Sequence, residues 1–232
     1  MRERPILFNG DMVRAILAGQ KVQTRRVAKL PHQNPLGQWE ASTSGGYGAR
    51  DRKGNLVPEH VCIWHTRTGD TLSCPLGQPG DRLWVRESFT DLLGTGIEHR
   101  PHLDGPIQRY AYSADTLPGS PGDFARKDYG IKWRPSIHMP RSACRLVLEI
   151  TAVRVERLQQ ITADDCQAEG ISTRFKVADA EEDLRVQWRD LWTSTGGDWD
   201  GNARRRAAAA LTQPTAVVEP RSALPAQLEL FA

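Results

Sequence analysis

Glycine and proline divide this chain more sharply than hydrophobicity does. Its 20 glycines and 15 prolines are clustered. One dense run covers residues 31–80, from Pro31 and Gly37 through Gly45, Gly46 and Gly54 to Pro79 and Gly80. A second covers 91–135, and a third follows residue 195. Proline fixes φ and lacks an N–H, while glycine opens positive φ at an entropic cost. No long helix or strand can cross such stretches. Regular structure is confined to short windows, which predicts a small core carrying long excursions.

The windows themselves are readable. Residues 5–8 form a short apolar strand. A helix follows over 11–18, with Met12, Val13, Ile16 and Leu17 at helical spacing, Asn9 or Asp11 at its start and Gly19 at its end. Gln20 to Arg26 is a polar stretch. Inside 31–80, Val61–Trp64 and Thr71–Cys74 read as a hairpin across Thr68-Gly69-Asp70. Pro79-Gly80-Asp81 launches a strand, Arg82–Phe89, in which Leu83, Val85, Glu87 and Phe89 alternate with Trp84, Arg86 and Ser88. Arg109–Ser113 is a further strand, and 115–135 is irregular.

Leu146–Leu158 is the clearest β run. Leu146, Leu148 and Ile150 share one face, then Val153 and Val155 fall in the other register, which predicts a bulge near Thr151–Ala152. Thr162 caps a helix with Asp164 and Asp165 in its first turn, and Gly170 ends it. A longer helix over about 179–193 puts Leu184, Trp188, Leu191 and Trp192 on one face. The pattern dissolves beyond Gly196. The expected fold is α+β: a small β-barrel with short helices at its rim. One domain spans 1–195, with an insertion at about 31–80, and 196–232 is a flexible tail.

Composition fits that layout. Only 39% of the 232 residues are hydrophobic, because the excursions dilute one core. The net charge of +3 is too small to argue for nucleic-acid binding in bulk. Local clusters at Lys21–Arg26 and Arg204–Arg206 carry the basic character. No apolar run approaches the roughly 18–20 residues of a membrane span. The N-terminus offers only Ile6-Leu7-Phe8, where a signal peptide needs an apolar stretch of about 7–15 residues. A cytoplasmic protein with no membrane partner is expected, with Cys62, Cys74, Cys144 and Cys166 as reduced thiols.

The segment Gly19-Gln20-Lys21-Val22-Gln23-Thr24-Arg25-Arg26 concentrates cationic and hydroxyl donors just after a helix end. Such a segment can surround an anionic or carbonyl-bearing ligand, or be a solvated basic turn. A partly buried Lys21 beside Arg25 and Arg26 would have a depressed pKa, favouring the neutral base.

Four blocks together resemble the ASCH domain family, a branch of the PUA-like superfamily. They are Ile6–Arg26, with Ala18-Gly19-Gln20-Lys21 and Thr24-Arg25-Arg26; Pro79–Glu87; Trp133-Arg134-Pro135-Ser136-Ile137-His138-Met139-Pro140 with the strand after it; and Asp164–Ile171, with Ala168-Glu169-Gly170-Ile171. They cover roughly residues 4–193 outside the insertion, and the third block looks like the larger phage and prophage members. The resemblance implies a PUA-like barrel and a cleft for RNA, DNA, a nucleoside or a nucleotide. Some small bacterial members are amidohydrolases that deacetylate N4-acetylcytidine, with a Lys, a Thr three residues later and a Glu on the following helix. Those positions fall on Lys21, Thr24 and Glu169, with Thr24 as nucleophile, Lys21 as its base, and Glu169 donating to the leaving nitrogen. Arg25 and Arg26 would support the ligand. The insertion and the extra length depart from the minimal amidohydrolases, so a different modified pyrimidine, or binding without turnover, stands beside that reading.

Three further features carry weaker expectations. Glu87 can pair with an arginine of the basic segment or form a structural ion pair elsewhere, and Trp84 and Trp133 can stack on a base or pack in the core. His60-x-Cys62-x-x-His65 with Cys74 has four zinc-type donors, but the spacing matches no paired-ligand pattern and fits a strand with an inward cysteine. Neither a metal nor a cofactor is expected. At the C-terminus, Gln227-Leu228-Glu229-Leu230-Phe231 resembles the peptide by which bacterial replication and repair proteins bind the DNA sliding clamp. Leu230 and Phe231 would fill an apolar pocket beside Leu228, and Gln227 would bond at its rim. Before that tail, family members continue through a Gly/Asn-rich turn, resembled by Asp198-Trp199-Asp200-Gly201-Asn202, into a closing strand. Here Ala216-Val217-Val218-Glu219 supplies that strand late, or the barrel closes without it.

Overall fold

The computed structural model describes residues 1–32, 34–101, 105–172 and 180–194, and the backbone of 214–222. The chain opens with β1 (Glu3–Leu7) and α1 (Gly10–Leu17). The Asn9 side chain accepts the Met12 N–H to cap α1, and Gly19 at φ 70° turns the chain out of it. There follow β2 (Thr24–Val27), β3 (Trp39–Ser44), β4 (His60–His65), β5 (Thr71–Ser73), β6 (Arg82–Arg86), β7 (Phe89–Asp91) and β8 (Tyr110–Tyr112). Then come α2 (Pro121–Asp128), β9 (Val147–Arg157), α3 (Ala163–Ala168), α4 (Ala180–Ser194) and β10 (Pro214–Ser222).

The main sheet has the order β1-β6-β9-β10-β2. Only the β1–β6 pair is parallel. On β6 the predicted alternation holds: Leu83 and Val85 are buried, while Arg82, Trp84 and Arg86 are half-buried on the other face. Leu83 and Val85 join Ile6, Phe8, Val13, Ile16, Leu148, Ile150 and Val153 in the main core. Each such aliphatic side chain contributes roughly 1.5–3 kcal/mol on burial. The expected bulge is present: Glu219 opposes Ala152 and Pro220 opposes Ile150, so Thr151 is skipped. A second core joins α3 to α4 through Leu158, Ile161, Cys166, Leu184, Trp188 and Trp192.

The fold is mixed α+β with small sheets and short helices. Four regions show how it compares with expectation. Among the described residues there is no closed barrel: β1 and β2 end the main sheet and do not pair with each other. The stretch from 196 onward contains β10, which includes the late strand expected as one alternative at Ala216–Glu219 and pairs with β9 and β2. Residues 115–135, read as irregular, contain α2, started by the Ser120 side chain and Pro121. In the 31–80 insertion the expected hairpin is present as β4 and β5. Its strands form one antiparallel sheet, β3-β4-β5; β4 packs on β9; and Val61, Cys74 and Leu76 pack against the main core.

Candidate functional site

The site is built where the end of α3 docks on the segment after α1. The Gln20 and Lys21 amides both donate to the Ala15 carbonyl, at 2.8 and 3.0 Å, and reverse the chain. The Val22 and Gln23 amides both donate to the Ala168 carbonyl, at 2.8 and 3.1 Å, and bring the following residue, Glu169, beside Lys21. Gly170 permits that approach. It sits at φ 91°, and a Cβ there would lie 2.9 Å from the Ala15 Cβ and 3.2 Å from the Lys21 Cβ.

Lys21 Nζ donates to Glu169 Oε2 at 2.5 Å and to the Glu169 carbonyl at 3.0 Å. Both side chains are 2% exposed. Arg25, 1% exposed, reaches three carboxylates: Glu156 at 2.9 Å, Asp165 at 3.0 Å and Glu169 Oε1 at 3.5 Å. Gln23 donates to Asp165 Oδ1 at 3.1 Å and accepts from Arg154 at 3.0 Å. Asp165 also closes a capping box with Thr162. Burial pushes the Asp165 carboxyl up, but Gln23, Thr162 and the Arg25 charge outweigh it and hold its pKa at about 2.

Burial lowers the Lys21 pKa, against the pull of Glu169, and the nearby charges of Arg26 and Arg25 lower it further. The network is not closed. Thr24 is fully buried on β2 with no hydrogen-bond partner for Oγ1 among the described residues. Arg25 Nη1 and Glu169 Oε1 likewise form no hydrogen bond there. Buried polar atoms left in this state are uncommon and mark sites of strain or function.

A cavity of about 540 Å³ opens beside this network. Arg25, Arg26 and Glu169 line it, with Phe8, Met12, Trp188, Leu191 and Trp192 as apolar walls and Asn9, Ser88 and Ser136 as neutral polar ones. Arg26 donates to the Arg25 and Leu7 carbonyls, both at 3.1 Å, and its guanidinium lies 5.5 Å from the Phe8 ring centre. Burial lowers the Arg26 pKa, and Glu169 opposes that shift.

Lys21 and Glu169, 148 residues apart, are therefore in direct contact. Thr24 lies on the same segment, but neither it nor Lys21 lines the cavity. Glu87 and Trp84 do not line it either. Glu87 forms a structural ion pair with Arg145 at 2.8 and 3.0 Å, not with the basic segment. Trp84 lies between the guanidiniums of Arg86 and Arg141, 5.3 and 5.9 Å from its ring centre. Trp133 is half-buried under Arg126.

The zinc-type donors are dispersed. His60 bonds Ser73 and Pro58, His65 accepts the Thr68 N–H, and Cys62 is buried on β4. Among the described residues no group of His, Cys, Asp and Glu is placed to hold a metal, and all four cysteines are free. No described helix is long and apolar enough to cross a membrane. Gln227, Leu228, Leu230 and Phe231 lie outside the described residues, as do Arg204–Arg206.

Sequence reasoning missed Phe8, Ser88, Ser136, Glu156, Trp188 and Trp192 as parts of the site. The two tryptophans carry a signal that reads equally as helix core, and they do both jobs. Asp165 reads as a helix cap, and its contact to Arg25 has no local signature. Comparison with known proteins finds no matching family model, no matching curated protein and no matching solved structure.

Proposed function

We propose that this chain is an ASCH-like protein of PUA-like fold that hydrolyses an N-acylated or otherwise modified pyrimidine nucleoside or nucleotide in this cleft. The observation that carries the reading is the buried Lys21–Glu169 contact of 2.5 Å. An ammonium–carboxylate pair and a neutral amine–carboxylic acid pair differ only in the position of one proton. Burial disfavours the two charges, so the neutral pair becomes accessible, and it contains a base and an acid together.

The chemistry follows from that. Lys21 takes the Thr24 hydroxyl proton as Oγ1 attacks the acyl carbon. The Glu169 carboxyl gives its proton to the departing exocyclic nitrogen as the C–N bond breaks. Water then hydrolyses the acyl-threonine ester, releasing a carboxylic acid and restoring the Thr24 hydroxyl, and the one mobile proton of the pair, left on Lys21, passes back to Glu169. Phe8, Trp188 and Trp192 suit the faces of a planar base.

A second reading has its own support. Thr24 does not line the cavity while Arg25, Arg26 and Glu169 do, an arrangement suited to gripping a base or phosphate without turnover. In that reading the chain is an RNA- or DNA-binding module, recruited to replication sites if Gln227–Phe231 binds the sliding clamp. A screen of N4-acylated cytidines separates the two. Hydrolysis by wild type that disappears in Lys21→Ala supports the enzyme; unchanged hydrolysis in that variant rejects the mechanism. Salt-sensitive oligonucleotide binding with no turnover favours the module. A pull-down with bacterial clamp, with and without residues 227–232, tests recruitment.

A further inference from the structure

Among the described residues, the charges around the cleft are matched except one. Lys21 and Arg25 are engaged by Glu169, Glu156 and Asp165. Arg26 has no carboxylate within ion-pair distance among the described residues, although it lies on the cavity wall. Its guanidinium is fixed rather than loose, held by two backbone carbonyls and the face of Phe8. An arginine stays charged even where burial lowers its pKa. Among the described residues the one carboxylate on the wall, Glu169, is already committed to Lys21 and Arg25.

Besides Arg25 and Glu169, the polar groups that share the wall with Arg26 are neutral. Ser88 and Ser136 offer hydroxyls, and Asn9, whose Oδ1 caps α1, offers amide N–H groups. A fixed, half-buried, unmatched guanidinium among neutral donors is suited to an anion with several acceptor oxygens. At about 540 Å³ the cavity falls within the roughly 300–1,000 Å³ of sites for ligands larger than a bare base.

We propose that the Arg26 end of the cleft is a phosphate subsite, so that the ligand is a phosphate ester of the base-bearing group rather than the free nucleoside. The inference rests on the reading of this cleft as a base-binding site, but not on catalysis. A free nucleotide and the backbone of a nucleic-acid strand present the same phosphate chemistry.

Calorimetric titration with cytidine, cytidine 5′-monophosphate and a five-residue oligocytidylate tests it without requiring turnover. The monophosphate is expected to bind about tenfold or more tightly than cytidine in wild type, the range of a hydrogen bond to a charged group. That ratio should fall close to one in Arg26→Gln and be partly kept in Arg26→Lys. Ser136→Ala should reduce it less, and it covers the case in which Arg26→Gln unfolds. A still tighter oligonucleotide, with the same dependence on Arg26, assigns the phosphate to a strand. A wild-type ratio near one, no binding of any of the three, or a ratio indifferent to both substitutions overturns the subsite. Hydrolysis of N4-acetylcytidine scored in parallel decides the enzymatic reading separately.

Discussion

Two ion networks of this domain are finished to different degrees. In the first, Arg145 donates from Nε and Nη2 to both oxygens of Glu87 and from Nη1 and Nη2 to both oxygens of Asp115. Its guanidinium lies 4.0 Å from the centre of the Tyr112 ring, and the Tyr112 hydroxyl donates to the Ala143 carbonyl at 2.7 Å. Every carboxylate oxygen has a donor. In the second, around Lys21, Arg25 and Glu169, Thr24 Oγ1 has no hydrogen-bond partner among the described residues, Arg25 Nη1 and Glu169 Oε1 meet only at 3.5 Å, and a cavity adjoins. A network made for stability closes on itself; one left open beside a cavity has capacity for a ligand.

Exchanging the two readings by mutation is the most direct way to break that contrast. Lys21→Ala should lower hydrolysis of an N4-acylated cytidine by about 10²–10⁴-fold, the range of a lost general base. The fold should survive, because Glu169 keeps Arg25 at 3.5 Å as a partner; circular dichroism checks it. Glu87→Ala should do the opposite. It leaves half of the Arg145 fork without its buried partner and should cost roughly 3 kcal/mol in urea unfolding, with ligand affinity unchanged. If instead it abolishes ligand binding at wild-type stability, the contrast fails.

Titration sharpens the same difference. The Lys21 pKa is lowered from its ordinary 10.5, so kcat/KM should rise with pH along a limb centred below the usual lysine range. Asp165 works the other way. Its folded pKa of about 2 lies below its ordinary 3.8, so its ionised form stabilises the fold above the ordinary value. That contribution, on the order of 2 kcal/mol, is lost as pH falls through about 2. Asp165→Asn should flatten the acid limb of stability measured between those two values. The smallest expected effect is Thr162→Ala, about 1 kcal/mol through the capping box, read from thermal unfolding.

Legibility in the sequence tracked the kind of burial. β1, β6 and β9 are buried by aliphatic side chains and show as alternation, down to the bulge at Thr151. Asn9, Thr162, Gly19 and Gly170 are local signals, and each sits where its chemistry requires. β2 did not show, because Thr24-Arg25-Arg26-Val27 is held by ion pairs and by β10 rather than by an apolar face. β3, Trp39-Glu40-Ala41-Ser42-Thr43-Ser44, is a polar edge strand and is equally silent. α2 has little apolar content and is held by the Ser120 cap and by Arg126 and Lys127 on Asp123. In the site, residue types within one segment were legible. Partners from distant segments, such as Glu156 and Ser136, were not, since nothing local encodes which carboxylate or hydroxyl will arrive.

The strand order has a consequence for the order of folding. β2 carries Thr24, Arg25 and Arg26, and among the described residues its ladder partner in the main sheet is β10 alone. That neighbour, residues 215–218, lies nearly 190 positions further along the chain. Until the two segments meet, Thr24, Arg25 and Arg26 ride on a strand without its ladder partner in the main sheet. The pairing of β2 is thus a contact of very long sequence separation, whose loop-closure entropy places it late in folding.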